Sequence, residues 1–133
     1  MSFSFEEQVL MNVRLLLSDP DNWTQGYRCL TKRGESVDPW SRYGVRYCVV
    51  GAIEGVVSRL LRRPYATPES VKLWEYLNDV VKLLDDPACR RYRVGTLMVA
   101  NDSFIPKKAH SLVLEILDLA IELLPRTTDR KNP

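Results

Sequence analysis

A chain of 133 residues with 45% hydrophobic content can bury one real core and is too short for two, so one domain is expected over 1–125, followed by a polar, fraying tail over 126–133. Nineteen basic against seventeen acidic residues leave a formal charge of +2, a balance that by itself demands neither nucleic acid nor an anionic membrane. Cys29, Cys48 and Cys89 lie far apart and come with a single histidine, His110, which excludes a disulfide framework and a four-ligand zinc site. No metal or cofactor is implied, and the cysteine usage fits a reducing compartment.

The first helix is expected over roughly 5–18, where Ser4 and Glu7 form a capping box, Phe5, Val9, Val13, Leu16 and Leu17 share a face, and Asp19-Pro20 stops the run. Its early glutamates and periodic apolar residues do not read as a secretory leader, and no apolar run reaches a membrane span, so a cytoplasmic protein is expected. Pro20 to Val37 shows no clear period, yet it holds Trp23, Tyr27, Cys29 and Leu30 and is expected to pack as a long aromatic loop.

Asp38 and Pro39 offer an N-cap and a first helical position, so the central helix is predicted from there to just before Arg63-Pro64. At about 100° per residue, Val45, Val49, Ile53, Val56 and Leu60 fall on one side and Gly44, Cys48, Gly51 and Gly55 on the other. The bulky side should face the core. The glycine side should admit another backbone at close range, that of the last helix or the Trp23 loop.

Thr67-Pro68-Glu69 opens a third helix whose apolar face carries Leu73, Trp74, Leu77, Val80, Val81 and Leu84, ending at Asp85-Asp86-Pro87. Val94 to Ala100 is apolar but short, and reads as a turn or short helix in preference to a short strand. Asn101-Asp102-Ser103 supplies cap chemistry before Pro106. The last helix then carries the cleanest stripe, Ala109, Leu112, Val113, Ile116, Leu117, Ala120, Ile121 and Leu124, until Pro125. Period 3.6 throughout, without alternation or repeats, predicts an all-α domain of about four main helices around the central one.

Chemistry has few candidates. Cys48 is either a nucleophile or a small hydrophobe suited to a tight glycine-lined contact. His110, at the edge of the last stripe, is either a general base or a half-buried histidine with one hydrogen bond. Asp102 either caps the last helix or points into a cavity with Trp23, Gln25 and Cys48. Arg59, Arg62 and Arg63, then Arg90, Arg91 and Arg93, then Lys107 and Lys108 form basic groups. No P-loop, zinc-finger or helix-turn-helix pattern accompanies them, so nucleic acid is not the favoured partner.

Trp23-Thr24-Gln25-Gly26, Tyr47-Cys48-x-x-Gly51-Ala52-Ile53, Asn101-Asp102, and Val113-Leu114 with Leu117-Asp118 and Ala120-Ile121 occur in that order. Together they resemble a widespread group of small bacterial and phage proteins of unknown function that share W-x-Q-G, W-C-x-x-G-A-L, N-D and V-L-x-x-L-D-x-A-I segments. Tyr47 stands where tryptophan is common in that group, and His110 near a place where threonine is common. The resemblance implies a shared fold and a shared surface around Trp23, Gln25, Cys48, Asn101 and Asp102, with no known activity.

The leading expectation is a helical module that binds an unidentified protein or small ligand at the loop from Trp23 to Trp40, because a good core and basic groups come without a complete catalytic set. The alternative is a cysteine-dependent hydrolase or transferase with Cys48 as nucleophile, His110 as base, Asn101 or Asp102 orienting it and Gln25 donating to an oxyanion.

Overall fold

The computed structural model describes residues 3–84, 86 and 96–124. Over these the chain is mostly helical: α1 (Phe5–Ser18), α2 (Val49–Leu61), α3 (Pro68–Val81), a short α4 (Leu97–Asp102) and α5 (Pro106–Leu123). The basic group Arg90, Arg91 and Arg93, the segment 88–95 and the tail 126–133 lie outside the described residues.

The all-α expectation is corrected by a small antiparallel sheet of β1 (Cys29–Thr31) and β2 (Gly44–Tyr47). Cys29 pairs with Tyr47 and Leu30 with Arg46, but Thr31 pairs with Gly44, so Val45 is left over and the ladder is irregular there. The predicted start of the central helix is overturned with it. Asp38 and Pro39 begin a turn rather than a helix, in which the Asp38 carbonyl accepts from Ser41 N–H at 2.9 Å. The helix begins ten residues later, at Val49, with Cys48 as its N-cap. Val45, expected in the core, is therefore an exposed bulge residue, and Leu60 is also exposed.

From Val49 to Ser58 every residue of α2 is buried, as a central helix requires. Its glycine side does meet another backbone, and that backbone is the segment between Trp23 and Trp40. A Cβ at Gly51 would land on the Arg28 carbonyl, and one at Gly55 would lie 2.8 Å from the Pro39 carbonyl oxygen. Helix α1 packs on α2 and α5, α3 packs on α5 and α2, and α4 sits against α5.

The local signals hold best at α1, where Ser4 Oγ accepts from Glu7 N–H at 3.1 Å and Val9, Val13 and Leu17 are buried. Helix α3 ends at Val81, short of Asp85, because Leu83 and Leu84 bond back only three residues and tighten the last turn. The stripe of α5 is core from Ala109 to Ala120. Asp102 and Ser103 do not cap it: its N-cap is Ile105, which makes no side-chain cap bond. Among the described residues no helix is long and apolar enough to cross a membrane.

Candidate functional site

The segment Trp23-Thr24-Gln25-Gly26 runs beside β2, with Thr24 N–H donating to the Tyr47 carbonyl at 3.0 Å. This alignment turns the Trp23 ring inward, where it is 8% exposed, and aims its indole N–H at α4. There Asn101, with no exposed surface, receives it: Trp23 Nε1 donates to Asn101 Oδ1 at 2.8 Å. The same oxygen accepts from Val49 N–H, the first amide of α2, at 3.1 Å. Asn101 Nδ2 donates to the Thr24 carbonyl at 3.2 Å and to Asp102 Oδ1 at 2.6 Å. Two donors face the oxygen and two acceptors the nitrogen, so the partners fix which way round the amide sits.

Gln25 completes the clasp from the other side. Its Nε2 donates to the carbonyls of Asn101 and Phe104, at 2.9 and 2.8 Å, at the helix end where carbonyls lack internal partners. Gly26, at φ +81°, then turns the chain so that its N–H donates to Asp102 Oδ1 at 3.1 Å. Asp102 is exposed, so the cavity position proposed for it from sequence is corrected: it closes a loop at the surface.

Cys48 belongs to this junction as an N-cap, its unbridged thiol buried against the start of α2. Its Sγ accepts from Gly51 N–H at 3.3 Å, it has no exposed surface, and burial pushes its pKa up to about 11 against hydrogen bonds that pull it down. His110 sits elsewhere in the arrangement, its ring centroid 5.3 Å from that of Trp23. Its Nε2 lies 2.6 Å from the Leu17 carbonyl, which can only accept, so Nε2 carries the proton. The sulfur and the imidazole thus have different partners, and no Cys48–His110 bond forms.

On the outer side of Trp23 lies an open cleft of about 550 Å³, lined by Pro20, Trp23, Thr24, Gln25, Pro106, Lys107 and His110. Lys107 and Pro106 come from the first turn of α5, His110 from the next, and Pro20 from the turn Pro20–Asn22 that follows α1. The packing of α5 across α1 brings these segments together, a step to which local sequence gives no clue. Among the described residues no three His, Cys, Asp or Glu side chains are placed to hold a metal ion.

Residues 6–123 match the model of a family described as a family of unknown function, DUF6197. No curated protein matches the chain. No solved structure matches it either.

Proposed function

The chain belongs to this family of unknown function, which hands down no activity, and we propose that it is a binding module for a small anionic ligand with a flat apolar part. The observation that carries this reading is the cleft in which Trp23, Gln25, Lys107 and His110 converge. Its volume is in the range of small-molecule sites, and it combines apolar walls with a few polar groups, as such sites do. Trp23, Pro20 and Pro106 offer surface to a flat apolar group. Lys107 supplies a cation, and the first turn of α5, which no side chain caps, adds favourable dipole and amide hydrogens for a carboxylate or phosphate.

The wall is rigid, because Asn101 holds the Trp23 indole from behind. A preorganised aromatic surface loses little freedom when a ligand settles on it. The cysteine-enzyme alternative finds no such support. A thiol with a pKa near 11 is protonated at neutral pH, and Cys48 is buried and occupied as a helix cap.

The test is a nitrogen–proton correlation titration with benzoate, which joins a flat ring to a carboxylate, and separately with inorganic phosphate. Saturable shifts at the Trp23 indole, Gln25, Lys107 and His110, weakened several-fold in Lys107→Ala, are expected for benzoate. Shifts scattered over the surface, or unchanged in Lys107→Ala, would overturn the reading.

A further inference from the structure

A second feature of the sheet points to a different ligand class. The register that pairs Thr31 with Gly44 sets the residues after Thr31 and those before Gly44 at one end of the ladder. After Thr31 the chain turns tightly, with Gly34 N–H donating to the Thr31 carbonyl at 2.9 Å and Gly34 at φ +84°, so that Lys32 and Arg33 ride on the turn. Before Gly44 come Arg42 and Tyr43. Lys32, Arg33, Arg42 and Tyr43 are all exposed, and half-buried Arg46 shares a recess of about 360 Å³ with Lys32, Val45, Trp23 and the turn from Pro20 to Asn22.

None of these four cations is ion-paired among the described residues, whereas Arg14, Arg28 and Arg63 each have a carboxylate within reach. Along this stretch and in the recess the carboxylates are Glu35, just past the turn, Asp38, four residues before Arg42, and Asp21, three against the four cations. Exposed cations without ion-pair partners are free to meet phosphates. The aromatic component is Tyr43, a residue 61% exposed. The Arg42 guanidinium lies 4.9 Å from the Tyr43 ring centroid and donates to its hydroxyl at 2.7 Å, so a cation sits beside the exposed ring.

We infer that this cationic end of the sheet is a binding surface for single-stranded nucleic acid, with Lys32, Arg33 and Arg46 meeting phosphates and Tyr43 stacking on a base. Single strands fit because a splayed base is what an exposed ring can stack on, while paired bases are already stacked on each other. The surface lies on the sheet, not on the helix ends that carry Arg59 and Lys107. Its residues are scattered over fifteen positions of sequence, from Lys32 to Arg46, and only the strand register collects them.

The test is fluorescence anisotropy of the whole chain with labelled oligo(dT) and oligo(U) of about 20 nucleotides, a duplex of the same length, and heparin as a polyanion without bases. Three to four phosphate contacts on a single strand predict that affinity falls about 20- to 50-fold between about 50 and 200 mM salt. The double change Lys32→Glu with Arg33→Glu lies on an exposed turn, so its melting curve should match the parent while oligonucleotide affinity drops about tenfold or more. Tyr43→Ala should lower oligonucleotide affinity about fivefold or more and leave heparin binding unchanged. The inference is overturned if neither oligonucleotide binds at low salt, if the duplex binds as well, or if charge reversal has no effect. An oligonucleotide affinity insensitive to Tyr43→Ala also overturns it, and marks the surface as one for acidic proteins or polyanions in general.

Discussion

Replacing Asn101 by alanine is expected to destabilise the protein by about 3 kcal/mol or more, because each stranded buried polar group costs about 1–3 kcal/mol. Truncation strands two buried donors, the Trp23 indole N–H and the Val49 N–H, and the half-buried Thr24 carbonyl. The fourth partner, Asp102, is exposed and keeps its bond from Gly26, so it adds little. Asn101→Asp sharpens the test. The isostere keeps an oxygen for Trp23 and Val49, but sets a second oxygen against the Thr24 carbonyl and 2.6 Å from an Asp102 carboxylate oxygen. A buried charge facing two acceptors should make Asp at least as damaging as Ala at neutral pH. Urea unfolding at constant m-value measures both losses, and the indole N–H resonance of Trp23 reports the broken bond. An Ala variant that loses under about 1 kcal/mol, or an Asp variant milder than Ala, would falsify the assignment of these bonds.

Gly51→Ala should cost about 2 kcal/mol or more, since its Cβ lands on the Arg28 carbonyl and backbone cannot retreat as a side chain can; an unchanged urea midpoint would show that the contact is slack. For Cys48 the folded pKa, near 11, exceeds the ordinary 9.0, so the fold favours the protonated thiol. That contribution is fully present below pH 9 and is lost as pH rises through 11, about 2 to 3 kcal/mol in all. Cys48→Ser, which keeps a cap oxygen but does not titrate there, should flatten this alkaline loss in melting curves. It should not abolish it, because burial also raises the Cys29 and Tyr47 pKa values. Glu54 is 4% exposed, its Oε1 accepts no hydrogen bond, and burial raises its pKa against the pull of Arg28. Its protonated form is thus favoured by folding, and the stability this confers at low pH is lost as pH rises through the raised value. Glu54→Gln should therefore be neutral or stabilising at neutral pH and remove that acid-side slope; a destabilised variant would mean that the Arg28 pair outweighs desolvation.

Helices α1 and α5 were legible because their information is local: a capping box at Ser4 and Glu7, and apolar residues that keep one period until a proline. The sheet was not, because Asp38-Pro39 serves a turn as well as a helix start, and β2 is four residues with a bulge at Val45. Alternation had no room to show. The importance of Trp23, Gln25, Asn101 and Asp102 came from their grouping into recognisable segments, and they do meet in space. For Asp102 the residue types alone suggest a cap or a cavity, whereas at the surface it accepts from the Gly26 amide, a contact set by how the Trp23 segment lies against α4. The cleft itself depends on Lys107 and His110 arriving beside Trp23, a consequence of helix packing to which no short-range pattern points.

Asn101 also bears on how the chain reaches its fold. It is 78 residues from Trp23 and 52 from Val49, yet it supplies the acceptor for both of their N–H groups. The first turn of α2 is therefore completed by a residue synthesised long after it, and a nascent chain that stops short of α4 has a central helix with an unfinished start. Contacts of such span must overcome loop-closure entropy before they stabilise the fold, which slows folding. Once formed, they bind the beginning, middle and end of the chain into one cooperative unit, in which the Val49 amide and the Trp23 indole are released to solvent by the same event.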